Sequence, residues 1–298
     1  MQRLPLYTTT LTKTAFTTSI LRSIRPRIIQ QTPKQTPFFH QPTTTRTYAT
    51  MAQSHACCTV PPVQAENYTG KGEHITIDGM KTYATGPTDA KRAILVIYDI
   101  FGFFPQTIQG ADILAQGDKE KKYQVFMPDF FEGKPVDIKD FPPDTDEKKK
   151  MLGDFFAGPA APPKTVGRIP KVLEEIQKQR SGIEEWAVVG FCWGGKIVNL
   201  SSQQGTPFKA AAACHPAMVD PSDAPGVTIP YAMLPSMDED KEAVGKWQEG
   251  LKVKNIVQWF PDQVHGWMAA RGDLKDEKVR KEYERGYQTL LNFFHEHT

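Results

Sequence analysis

From about Tyr68 onward, short apolar runs alternate with longer amphipathic stretches. Ala93–Tyr98, Gln124–Met127, Glu185–Val189, Ala210–Ala213, Pro230–Leu234 and Asn255–Phe260 read as strands, most of them apolar on successive residues. Between them, Ile108–Gln116, Val166–Arg180, Glu239–Leu251 and Glu277–Phe294 gather apolar residues onto one helical face. In the second of these the stripe is Ile169, Val172, Leu173 and Ile176, with charges opposite. In the last it is Val279, Tyr283, Tyr287, Leu290, Leu291 and Phe294. Strands apolar on both faces, alternating with helices, predict an α/β domain with a mostly parallel sheet covered on both sides. The stretch Glu132–Pro163, rich in Pro, Asp and Lys, predicts an excursion above the sheet with a short helix over 148–156.

The N-terminal part breaks the pattern. Met1–Ala65 has no Asp or Glu, yet carries Arg3, Lys13, Arg22, Arg25, Arg27, Lys34 and Arg46 among many threonines and prolines. Such a segment cannot bury enough apolar surface to fold alone. A basic, hydroxyl-rich, acid-free start resembles a mitochondrial transit peptide, with residues 11–29 as its basic amphipathic helix and Arg46–Ala49 as its cleavage region. The expected organisation is a presequence over 1–50, an entry segment over 51–67 and one folded domain over 68–298. A chain begun at Met1 is expected in the mitochondrial matrix. One begun at Met51 lacks the presequence and is expected in the cytoplasm.

Composition narrows the function classes. The formal net charge is +2 among 298 residues, without the concentrated basic face of a general nucleic-acid binder. No apolar run approaches the length of a spanning helix, so no membrane partner is expected. Four cysteines, Cys57, Cys58, Cys192 and Cys214, do not make a disulfide framework, and the thiols are expected to be reduced. No Cys-x-x-Cys or His-x-x-x-His spacing accompanies Cys57 and Cys58, so no metal site is expected there.

One motif carries chemistry. Gly190-Phe191-Cys192-Trp193-Gly194-Gly195 joins the strand ending at Val189 to a helix beginning near Lys196. This is the strand–turn–helix setting of a nucleophile elbow, with Cys in place of Ser. The strained central residue needs glycine two positions to either side. The turn also sets the sulfur at a helix N-terminus, which favours the thiolate, and aims the Trp193 N–H at a developing oxyanion. A base should follow in sequence, after an orienting acid. His265, just beyond the last strand, fits the base better than His215, which precedes the acid candidates. Asp238 is the candidate acid, with Asp240 in reserve, on the turn after the penultimate strand. Asp99 ends the first long strand, where it can face the Cys192 thiol, and the Ile100 N–H is the second candidate oxyanion donor.

Taken together, Tyr98-Asp99-Ile100-Phe101-Gly102, the Cys192 turn and His265-Gly266-Trp267 resemble the dienelactone hydrolase family, in a eukaryotic, fungal form, over roughly Tyr68 to the C-terminus. The resemblance implies a single-domain α/β-hydrolase without a large lid. It implies a Cys–His–Asp triad of Cys192, His265 and Asp238, and no metal or cofactor. It further implies hydrolysis of a small enol lactone or activated ester by a monomer or weak homodimer. In bacterial members a Glu matching Asp99 helps generate the thiolate. An arginine after the histidine meets the substrate, for which Arg271 is the candidate here, with Phe101 and Trp267 as further substrate contacts.

Overall fold

A computed structural model describes residues 58–298. The expected presequence, its cleavage region, both start methionines and Cys57 lie outside these residues. The sheet has eight strands in the order β1-β2-β4-β3-β5-β6-β7-β8. They are β1 (Glu73–Ile77), β2 (Met80–Thr85), β3 (Arg92–Ile97), β4 (Tyr123–Pro128), β5 (Glu185–Phe191), β6 (Ala210–Cys214), β7 (Tyr231–Leu234) and β8 (Asn255–Val257). β3 to β8 are parallel; β1 and β2 form an antiparallel hairpin added at the β4 edge.

The central strands are apolar because both their faces are covered. Every residue of β4 and β6 is buried, as is β3 beyond Arg92, and each buried Val, Ile or Leu contributes about 1.5–3 kcal/mol. The covering helices are α1 (Pro105–Gln116), α3 (Pro162–Gln179), α4 (Trp193–Ser201), α5 (Lys241–Gly250) and α6 (Glu277–His297), and the excursion carries α2 (Asp146–Ala157). The buried face of α3 contains Ile169, Val172, Leu173 and Ile176, and that of α6 contains Tyr283, Tyr287, Leu290, Leu291 and Phe294, as the periodicity predicts. The expected strands over 230–234 and 255–260 are shorter at 231–234 and 255–257. Among the described residues, no helix is long and apolar enough to cross a membrane.

Buried polar groups tie the chain ahead of β1 to this frame. Asp112 of α1, 2% exposed, accepts hydrogen bonds from Tyr68 Oη at 2.7 Å, Lys71 N at 2.9 Å, Tyr83 Oη at 2.8 Å and Thr85 Oγ1 at 2.5 Å. One carboxylate thereby joins the 68–71 stretch ahead of β1, β2 and α1, and its lone pairs are satisfied as a buried acid requires.

Helix α1 lies so close to α6 that a Cβ on Gly110 would stand 1.7 Å from Tyr287 Oη. In an open helix, Ala is favoured over Gly by about 1 kcal/mol; forced overpacking costs about 1–3 kcal/mol. Gly110→Ala is therefore expected to lower stability, whereas Gly245→Ala in α5, where nothing lies within 4 Å, is expected to raise it by up to about 1 kcal/mol. Urea unfolding midpoints of the two variants check the opposite signs.

Candidate active site

The site forms where the parallel strands end. Strands β3 and β5 run in register to the Ile97–Gly190 pair, so Asp99 and Cys192 emerge side by side from the sheet. Cys192 has φ 54° and ψ −115° and is the N-cap of α4. The turn is possible because the backbones pack without side chains between them. A Cβ on Gly190 would lie 2.1 Å from the Gly194 carbonyl oxygen, and one on Gly194 would lie 2.1 Å from that of Ile97. Gly190 and Gly194 thus serve the approach of β3, β5 and α4 rather than flexibility. The sulfur-bearing residue is 8% exposed.

His265 lies on the loop after β8, and the Cys192 side chain is among the groups that favour its protonated ring. The partner of His265 Nδ1 is Glu239 Oε1, at 2.6 Å. This corrects the expected acid. Asp238 does not reach the ring; its Oδ2 accepts from the His265 backbone N–H at 2.7 Å. Asp240 caps α5, accepting from Glu242 N and Ala243 N. Glu239 is oriented by the Ser236 backbone N–H, which its Oε2 accepts, and the extra methylene of Glu carries its carboxylate back over the turn to the imidazole. The run Asp238-Glu239-Asp240 thus divides into three tasks: holding the histidine's backbone, holding its ring and starting a helix.

The environment favours the imidazolium. Burial alone lowers the His265 pKa, but the Cys192 and Glu239 side chains outweigh it and push the value up to about 10. Beside it, His215 is completely buried and has φ 37°. Its ring meets that of His265 in a T-shaped contact at 5.2 Å. Burial first, and the charge of His265 second, hold the His215 pKa well below its ordinary value. His215 is therefore a neutral wall behind the base and does not compete with it.

Asp99 is 1% exposed. Its Oδ1 accepts from Phe101 N at 2.9 Å and its Oδ2 from Ala270 N at 3.1 Å. Both oxygens are thus committed to backbone, and the carboxylate braces the loop after β3 against the loop carrying His265 and Arg271. Burial pushes its pKa up to about 6 against the pull of these N–H donors.

Arg271 sits at the site, but its Nη1 donates to the His265 carbonyl at 2.7 Å and its guanidinium lies 5.3 Å from the centre of the Phe141 ring. Phe101 packs edge-on against that same ring at 5.8 Å. Trp267 departs from expectation: it is wholly buried, lies 4.3 Å from the Phe260 ring and packs under Gly286 of α6. It is a core residue, not a substrate contact. Ile100 follows the end of β3, and Trp193 comes directly after Cys192 as the first residue of α4. The Trp193 indole Nε1 is tied to the Ala160 carbonyl at 2.8 Å, which anchors the excursion to the elbow.

Both neighbours of the His265 ring stabilise its proton, so removing either should lower its pKa. NMR titration of the His265 ring is expected to give a value well above 6.5 in the native protein, and a lower one in Cys192→Ser and in Glu239→Gln. The sign for stability follows by linkage. A raised folded-state value stabilises the fold fully below the ordinary histidine pKa, and that contribution disappears as pH rises through about 10.

Comparison with known proteins bears on the fold and the family. Residues 80–298 match the model of the dienelactone hydrolase family. An AIM2 family protein of Schizosaccharomyces pombe is 36% identical over 235 residues, covering 77% of this chain and 92% of that protein. The carboxymethylenebutenolidase homolog of Homo sapiens is 26% identical over 215 residues, covering 67% of this chain and 81% of its own length. The crystal structure of dienelactone hydrolase from Anabaena variabilis superposes with a TM-score of 0.52 at 12% identity, over 76% of this chain and 97% of that one; at that identity it speaks for the fold. The α/β-hydrolase fold and the extent of the family match together make this chain a member of the dienelactone hydrolase family, and thus of a hydrolase family.

Proposed function

We propose that the protein hydrolyses small activated carboxylic esters, enol lactones foremost, through a Cys192 acyl-enzyme. The observation that carries this reading is the His265 ring held by the Glu239 carboxylate at 2.6 Å, with the Cys192 and Glu239 side chains both favouring its protonated form. A thiol at a strained helix N-terminus, paired with an imidazole whose other nitrogen is held by an acid, is the arrangement of an activated nucleophile.

In the proposed reaction the Cys192 thiolate attacks the ester carbonyl carbon, and the carbonyl π electrons move onto oxygen. The backbone N–H groups of Trp193 and Ile100 stabilise that oxyanion. Collapse breaks the bond to the leaving oxygen, which takes a proton from His265. The neutral imidazole then removes a proton from water, and the resulting hydroxide attacks the thioester. Collapse of the second intermediate releases the acid and returns the sulfur as thiolate beside the imidazolium. Glu239 fixes the ring orientation throughout. Because the thiolate is itself a good leaving group, the first intermediate partitions forward only when the substrate oxygen leaves at least as readily. Enolates and phenolates do so; amines do not.

Turnover is expected to rank enol lactones and aryl esters above alkyl esters, with amides inert. Faster hydrolysis of acyl thioesters than of any oxygen ester would overturn the lactone reading. Cys192→Ser is expected to lower kcat/KM by on the order of 10³-fold or more, with loss of stoichiometric iodoacetamide labelling at that position. Glu239→Gln is expected to cost about 10²–10⁴-fold, by analogy with loss of the orienting acid in serine triads, and Asp238→Asn distinctly less. Equal losses for the two acids would contradict the division of roles between them.

A further inference from the structure

A second group of a thiol, an imidazole and a carboxylate lies at the opposite end of the parallel strands. Asp118 sits on the turn between α1 and β4, where the chain enters β4, whereas Cys192 stands where β5 leaves the sheet. The entry segment reaches this turn at Cys58, which forms an antiparallel bridge with Asp118. His295 comes from the last turns of α6. The Cys58 sulfur, an Asp118 carboxylate oxygen and a His295 ring nitrogen all lie within 4.8 Å of one another.

Each backbone is fixed independently of this cluster. Thr59 N donates to the Gly117 carbonyl at 2.8 Å, and Gln288 Nε2 of α6 donates to the Cys58 carbonyl at 3.1 Å. Asp118 Oδ1 accepts from Glu120 N and Lys121 N, both at 2.9 Å, which directs Oδ2 toward His295 Nδ1 at 2.7 Å. Lys121 Nζ is drawn away to the carbonyls of His295 and Thr298. The donors are therefore pre-positioned by the fold, with Cys58 3% and Asp118 0% exposed.

We propose that Cys58, Asp118 and His295 form a structural site for a zinc-like divalent cation that clips the entry segment to the α1–β4 turn and α6. Sulfur, imidazole nitrogen and carboxylate oxygen are the donors Zn²⁺ accepts together, whereas Ca²⁺ and Mg²⁺ take oxygen. Ligation replaces the Cys58 S–H bond with a metal–sulfur bond and releases the proton to solvent, so affinity rises with pH. The site stands apart from the hydrolytic centre, and its role is to hold the fold.

The full chain carrying Cys192→Ser, which removes the other thiol–imidazole pair, provides the test. Co²⁺ alone is expected to bind at one equivalent with a thiolate-to-cobalt absorption band that Zn²⁺ displaces, and one equivalent of Zn²⁺ is expected to raise the melting temperature. Adding Cys58→Ser should abolish the band and the thermal shift. Adding His295→Ala should weaken binding by more than the ~10–100-fold that outer-sphere changes cost. On the Cys192 background these two variants should keep ester hydrolysis within about twofold, which reports correct folding. Zn²⁺ should also shield Cys58 from alkylation, read by peptide mass, in protein that retains all three donors. That last measurement decides the matter if the variants misfold. Absence of a tight equivalent, a cobalt band that survives Cys58→Ser, or Cys58 alkylation that zinc does not slow would each overturn the proposal.

Discussion

The site depends on a steric constraint at the crest of the sheet. Three backbone segments, the ends of β3 and β5 and the first turn of α4, approach so closely that a methyl group at Gly190 or Gly194 would overlap a carbonyl oxygen. Cys192 occupies the bend between them at positive φ, a conformation that costs a non-glycine residue of order 1–3 kcal/mol. The register of β3 against β5 and the burial of nearly every residue of both strands hold that strain in place. The consequence is chemical. The sulfur is presented at a helix N-terminus and next to a second strand end, at a point the backbone has already fixed.

The partner loop is secured by charge as well as by the packing of Trp267 and Met268 into the core. Consecutive acids hold His265 at two places, Asp238 at its backbone N–H and Glu239 at its ring, while Arg271 closes on its carbonyl. Asp99 binds the same loop from the β3 side through Ala270 N. The imidazole thus has little freedom to leave the line between sulfur and carboxylate, and neutral His215 behind it adds bulk without a competing charge. Hydrogen bonds to charged groups contribute roughly 1.5–3 kcal/mol each, enough in combination to position a loop that lies outside the sheet.

Sequence patterns revealed the parallel core because its strands are apolar on both faces and its helices carry clear stripes. The Cys192 turn was legible for a related reason: glycine spacing there records a steric requirement. The β1–β2 hairpin escaped notice, although Asp78-Gly79, with φ 47° and 75°, is a tight-turn signal; its strands are partly polar and lack the dense apolar runs of the core. Strand counting locates the turn that carries Asp238, Glu239 and Asp240 but does not say which of the three acids turns toward the His265 ring. That choice rests on one methylene and on the Ser236 N–H that Glu239 accepts. Trp267 lies next to His265 in sequence yet points into the core, since Gly266 at φ 93° redirects the chain between them. The Cys58 cluster was invisible to spacing rules because its members come from three distant parts of the chain.

The charge balance of the proposed mechanism bears on substrate choice. With Cys192 as thiolate, His265 protonated and Glu239 ionised, the triad carries one net negative charge in a largely buried setting. Attack transfers the sulfur's charge to the carbonyl oxygen, so the total does not grow but its location moves toward the α4 N-terminus and the backbone donors. Departure of an enolate moves it again, to within reach of the imidazolium proton, where it is neutralised. Each step therefore displaces charge between groups already placed to receive it, without importing a new ion into a low-dielectric site. An amine leaving group breaks this sequence, because it must be protonated before it departs, while the competing thiolate needs no proton at all. In the proposed mechanism the pairing of thiolate and imidazolium thus restricts Cys192 to acyl groups borne on good leaving oxygens.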